Sequence, residues 1–183
     1  LRNAGISKIF DGNEFDEEDW NSKWGAHDDV FMQRFEDDLT TEQKEPFFKI
    51  ALTLSSHEPY EIKGTYKFGK DTEDNLYRSA HHYTDSIIGK FVDFAKTQTW
   101  YGNTLIVIMA DHGHSSPEHE GPYFSPKKFH IPMLWMGGAI KKPGTKIDIV
   151  SSQVDFSYTL LQLLNGDVTG FDFGKNMFQI NSN

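Results

Sequence analysis

Four of the eight histidines fall in "IVIMADHGHSSPEHEGPYFSPKKFHIPMLW", residues 106–135, between two apolar runs. An apolar run that stops at Asp111 and continues His112-Gly113-His114 offers a carboxylate oxygen and an imidazole nitrogen side by side. Such a pair suits one ion, or two neighbouring ones, of the zinc and manganese type. Gly113 lets the backbone turn tightly beside it. The same tripeptide also serves as a hydrogen-bonded turn after a strand, and its types alone leave both uses open. Histidines at 112, 114, 119 and 130 do not follow the order His-x-His-x-Asp-His, and no His-Glu-x-x-His occurs. His57, in Ser55-Ser56-His57-Glu58-Pro59, stands after another largely apolar run.

These residues need elements to hold them. Residues 104–110 are rich in β-branched types and apolar from Leu105 onward, the pattern of a central strand covered on both faces. Residues 131–136 read as a second strand ended by Gly137-Gly138, 47–54 ("FFKIALTL") as a third, and 146–150 as a short fourth. His57 and the Asp111-His112 pair then both lie at carboxyl ends of strands, where open α/β sheets build their sites. Val30, Phe31, Phe35 and Leu39 give a helix over 28–39, with Asp28 or Asp29 as cap. Leu76, Ala80, Tyr83, Ile87, Phe91 and Phe94 mark a long helix over 72–97 carrying His81 and His82, with Thr72 or Asp71 as cap; both histidines read as structural. A last helix spans 154–164 before Asn165-Gly166. The order predicts an α/β fold, a sheet with helices on both faces. The long 111–129 connection has the length of a functional loop. His114 and His119 within it are of a kind common on exposed loops.

A chain of 183 residues with no internal repeat or low-complexity linker is expected to form one compact unit. With 18 Lys+Arg against 27 Asp+Glu and a formal charge of -9, it is poorly suited to neutralising nucleic-acid phosphates. The absence of Cys removes disulfides, thiolate metal sites and a cysteine nucleophile from these residues. No apolar run approaches the roughly 20 residues of a membrane helix, and no signal peptide is visible.

The ordered pieces Trp24-Gly25 with Asp28 and Phe31, "ALTLSSHEPY" at 51–60, "YRSAHHYTDSIIGKF" at 77–91, "IVIMADHGH" at 106–114, "FHIPMLWMGG" at 129–138, "SSQVDFSYTLLQLL" at 151–164 and "FGKNMF" at 173–178 carry a resemblance. Together they resemble the C-terminal half of the sulfatase and phosphoglycerol-transferase branch of the alkaline phosphatase superfamily, most of all the lipoteichoic acid synthase-like enzymes. The resemblance implies that residues 1–183 are the C-terminal part of a catalytic domain, whose N-terminal half carries the nucleophile and further metal ligands. It makes Asp111 and His112 ligands of a divalent ion, manganese preferred, with zinc, magnesium or calcium as alternatives. His57 becomes the catalytic, substrate-contacting histidine, Trp24 a substrate-loop residue, and His130 a further substrate or second-metal contact. Some relatives place Arg two residues after the Trp, where this chain has Ala26.

The implied substrate is a phosphate or sulfate ester, lipid- and glycan-linked ones included, attacked through a covalent intermediate. His112 favours phosphate chemistry, because an oxygen-rich calcium site would take Asn there. The implied parent is membrane-anchored, with this region extracellular or periplasmic, and the fragment alone is expected to be inactive. A noncatalytic metal- or partner-binding module is the competing expectation.

Overall fold

The structure, a computed structural model, describes residues 5–21, 24–41, 44–115, 122 and 124–179. Contacts divide the chain into two compact units at Ile140 and Lys141, where its length suggested one.

The first unit is organised by two helices, α1 (Asp28–Thr40) and α2 (Glu73–Lys96). Helix α2 starts as its sequence predicts: the Thr72 hydroxyl accepts the Asn75 N–H at 3.1 Å, satisfying one of the open first-turn donors. Its buried Ala80, Thr84, Ile87, Phe91 and Ala95 recur every three or four residues and so form one inward stripe. Against it pack Met32 and Leu39 of α1, and the cluster is closed by Trp100, whose Nε1 donates to Leu39 O at 3.2 Å. A second cluster joins Tyr60, Ile62 and Ala80.

Helix α1 differs from expectation at its start. His27 occupies the cap position without a side-chain cap bond, and Asp28 is the first helical residue, fully enclosed. Its carboxylate bonds to partners distant in sequence instead of to the first-turn amides of its own helix.

Among the described residues, two small antiparallel sheets accompany the helices. One pairs β1 (Trp20–Asn21) with β2 (Gly25–Ala26), the other β3 (Ile106–Met109) with β4 (Met133–Met136), in the register Ile106↔Met136 to Met109↔Met133. The 104–110 run is thus a shorter strand than predicted, and all four of its residues remain partly exposed, because β4 is its single described neighbour. Gly137 ends β4 at φ +110, with Thr104 O only 2.2 Å from where a Cβ would sit, so no other residue fits this turn.

Two predicted strands are absent. Residues 47–54 have no ladder partner among the described residues, yet Phe48, Ile50 and Leu52 are 73%, 69% and 64% exposed while the alternating Phe47, Lys49 and Ala51 are half-buried. The two-residue alternation is written into the sequence; the ladder needs a second strand, and no described residue provides one. Residues 146–150 are likewise irregular.

The second unit is built on α3 (Gln153–Leu163). Asp155 accepts the Ser152 N–H at 2.7 Å and the Lys175 N–H at 2.9 Å, tying the helix start to the closing segment.

Candidate active site

Two loops of the first unit carry the candidate residues. The first follows the extended 47–54 segment. The Asp28 carboxylate receives the N–H groups of Leu54 and Ser55, and Leu54 O then accepts the His57 N–H at 2.9 Å. His57 O in turn accepts the Tyr60 N–H at 2.9 Å, with Tyr60 in the left-handed region at φ 63. These successive turns present His57 to solvent while burying Tyr60. The Trp24 ring lies 4.5 Å from the His57 ring, and its Nε1 donates to Glu58 O at 3.2 Å. His57 Nδ1 sits 2.8 Å from that same carbonyl. A carbonyl only accepts, so this contact puts the proton of neutral His57 on Nδ1 and leaves Nε2 as its basic nitrogen.

The second loop leaves β3. The Asp111 Oδ1 accepts the His112 N–H at 3.0 Å, and His112 Nδ1 lies 2.8 Å from Gly113 O. The same logic makes His112 Nε2 the lone-pair nitrogen, and it stands 3.6 Å from Asp111 Oδ2. That separation is close to the ~3.4 Å edge of a tetrahedron drawn around an ion with bonds of ~2.1 Å. The pair therefore fits as two ligands of one ion, both solvent-exposed. Among the described residues no third His, Asp or Glu joins them. Gly113 makes the loop possible: a Cβ there would lie 2.0 Å from Lys128 O and 3.1 Å from Phe129 Cα. Only glycine lets residues 111–115 lie so close to the short 3-10 helix Pro126–Phe129.

A contact absent from the sequence reading joins the two loops. His114 Nε2 lies 3.4 Å from the Tyr60 hydroxyl and 3.5 Å from Glu58 Oε1, and Tyr60 itself donates to Glu58 Oε1 at 3.2 Å. Burial and the adjacent Glu58 carboxylate raise the Tyr60 phenol well above its ordinary pKa, so it stays protonated and able to donate. The His114 ring stacks on Tyr77, which also meets His81 at 3.9 Å and the edge of Tyr60 at 5.8 Å. Burial, and then the nearby His114, lower the pKa of His81 despite its bond to Tyr77 O.

The structure thus brings Trp24 to His57, and His114 to the His57 loop. His130 is exposed and makes no hydrogen bond to a described residue. His119 lies outside the described residues, and His82 meets the edge of Phe68. The sequence reading missed Tyr60 and Tyr77 and took His114 for an ordinary loop residue. Tyr60 and Tyr77, polar-tipped aromatics in otherwise assigned segments, were the available signal.

The sequence profile of the sulfatase family matches residues 2–166. The chain belongs to the sulfatase family. This sulfatase-family chain is 27% identical to lipoteichoic acid synthase 2 of Bacillus subtilis over 91% of its own length and 28% of that protein's. It is 26% identical to phosphoglycerol transferase I of Xanthomonas campestris, over 97% of itself and 26% of the relative. With the lipoteichoic acid synthase of Staphylococcus aureus the identity is 28%, over 97% and 30%. It therefore spans less than a third of each of these relatives.

Among solved structures, an alkaline phosphatase superfamily protein from Vibrio parahaemolyticus superposes with a TM-score of 0.77 at 26% identity, covering 96% of this chain and 43% of the other. The lipoteichoic acid synthase LtaP of Listeria monocytogenes gives 0.74 at 23% identity, covering 96% and 48%, and shares the fold. The α/β architecture is that of the alkaline phosphatase superfamily, as the ordered motifs implied.

Proposed function

We propose that this sulfatase-family chain is part of a metal-dependent enzyme that transfers or hydrolyses phosphate esters in the manner of a phosphoglycerol transferase. The observation that carries this reading is the Asp111 and His112 pair, exposed after β3 with Oδ2 and Nε2 3.6 Å apart. Asp111 and His112 would hold a divalent ion there, manganese preferred over zinc, magnesium or calcium, and the ion would supply Lewis-acid polarisation of an ester oxygen and a lowered pKa for the attacking group. The nucleophile, and the covalent intermediate formed on it, belong to chain beyond these 183 residues.

His57 then acts on the leaving group. Its Nδ1–H is occupied by Glu58 O, so the proton it gives comes from Nε2 of the imidazolium. As the ester bond breaks, the departing oxygen takes that proton and neutral His57 remains with its Nδ1–H intact. Trp24 backs the ring and holds the Glu58 carbonyl, which fixes the direction of Nε2. The names of the relatives support a phosphoglycerol group, and the proposal includes a whole protein held at the membrane with this region on its outer side. Among the described residues no helix is long and apolar enough to cross a membrane.

Full-length protein and its Asp111→Ala/His112→Ala variant, titrated with manganese, zinc and calcium by calorimetry and assayed on a 4-nitrophenyl phosphodiester and on 4-nitrophenyl sulfate, test the reading. Metal-dependent phosphodiester turnover lost in the variant is expected. Equal metal binding by both proteins refutes the ligand assignment, sulfate turnover alone reverses the ester class, and binding without turnover of either ester establishes a noncatalytic module.

A further inference from the structure

Asp28 has no exposed surface, yet it carries a carboxylate into the interior. Desolvating that group is costly unless hydrogen bonds replace the lost water. Here they do: Oδ1 accepts Leu54 N–H at 2.7 Å and Ser55 N–H at 3.0 Å, and Oδ2 accepts the Thr84 hydroxyl at 2.6 Å. In return the Asp28 N–H donates to Ser55 Oγ at 3.0 Å. The first turn of α1 adds its positive end to the balance. One side chain thereby joins α1, α2 and the end of the 47–54 segment.

Helix-to-helix packing does not require this arrangement, because an apolar residue would fill the space without the desolvation cost. The carboxylate supplies direction instead. It fixes the Leu54 and Ser55 amides, and the Leu54 carbonyl in turn accepts the His57 N–H. On the far side of His57, Trp24 holds Glu58 O and covers the imidazole. Both clamps on the 54–58 loop therefore come from the single segment 24–28, closed by the Trp20↔Ala26 pairing of β1 with β2.

We infer that Asp28 is a positioning residue for His57: its buried carboxylate sets the 54–58 loop against the Trp24 ring, and so sets where the His57 imidazole points. This rests on the reading of His57 under the proposed function.

The test uses the full-length enzyme labelled with 5-fluorotryptophan, the Trp24 signal being assigned by its loss in Trp24→Phe, and turnover of a 4-nitrophenyl glycerol phosphodiester with manganese. Asp28→Asn keeps the volume but replaces one acceptor oxygen with a donor. It is expected to lower kcat on the order of 10–100-fold, as small misplacements of reacting groups do, with KM nearly unchanged. It is also expected to move the Trp24 resonance of the folded protein. His57→Ala should then cost far less in the Asp28→Asn background than alone, because the two residues act as one unit.

An unmoved Trp24 resonance with equal His57→Ala losses in both backgrounds would overturn the positioning role, leaving Asp28 as a fold stabiliser. Should Asp28→Asn not fold, Ser55→Ala and Thr84→Val each remove one hydrogen bond of the same network and are read the same way. Undiminished turnover in His57→Ala alone would instead overturn the reading of His57, and the Trp24 resonance would still decide whether Asp28 holds the loop.

Discussion

His114 stacks on Tyr77 with ring centroids 5.0 Å apart and 21° between planes, and this places its Nε2 between the Tyr60 hydroxyl and the Glu58 carboxylate. Glu58 adjoins His57, and His114 is two residues from His112, so the contact spans the proposed acid and the proposed ligand. Removing the ring by His114→Ala should loosen the 111–115 loop against the 57–60 turn. Both partner distances exceed 3.3 Å, so each bond is weak. We expect manganese affinity to fall by about 3–10-fold, the order of one neutral hydrogen bond. His114→Phe, which keeps the stack, should recover part of the loss; calorimetric titrations identical for wild type and His114→Ala would show that the contact does not order the ligands.

Gly113 offers a cleaner separation of ligand identity from ligand placement. A Cβ at this position would fall 2.0 Å from Lys128 O, a backbone atom that cannot rotate away. Gly113→Ala must therefore push the 111–115 loop off the Pro126–Phe129 turn while leaving Asp111 and His112 in the sequence. The expected result is a loss of manganese affinity on the order of 10–100-fold, comparable to losing a supporting contact around a metal site. Unaltered affinity would mean that the ion is held elsewhere.

Away from the site, Asp38 links α1 to both Lys8 and Lys49. Burial pushes the Asp38 carboxyl up, but the hydrogen bonds and charges of Lys49 and Lys8 outweigh it and hold the pKa below the ordinary carboxylate value. A depressed folded-state pKa means stability that is present above the unfolded value of about 3.9 and disappears as pH falls through the lower folded value. Asp38→Asn should accordingly cost about 1 kcal/mol at pH 7, and urea unfolding should show the two proteins converging towards pH 3. A gap that widened on acidification would contradict the assignment.

What the sequence made legible divides along the same lines. Helix α2 was readable because its period, its cap at Thr72 and its buried stripe are all local. The position of Asp111 and His112 just after a strand was readable because an apolar run ends abruptly there. Asp28, one of two cap candidates with Asp29, has instead its partners in Ser55 and Thr84, which are remote in sequence and carry no local mark. The same holds for His114, whose neighbours Tyr60 and Tyr77 come from two other segments. Residues 47–54 show the limit most plainly: alternation predicted the extended backbone, but pairing depends on a strand the described residues do not contain.

That segment yields the last prediction. Phe48, Ile50 and Leu52 project from one side of an extended, unladdered backbone and are all more than 60% exposed. An apolar strand face with open N–H and C=O groups is a template for another strand. In the proposed whole enzyme, chain outside these residues would cover it. Expressed alone, residues 1–183 are therefore expected to self-associate, and Phe48→Thr, Ile50→Thr and Leu52→Thr together should restore a monomer, since Thr keeps the extended preference while removing much of the apolar surface. Light scattering across a concentration series measures both. A monomeric mass for the unsubstituted chain at high concentration would show that this face needs no partner.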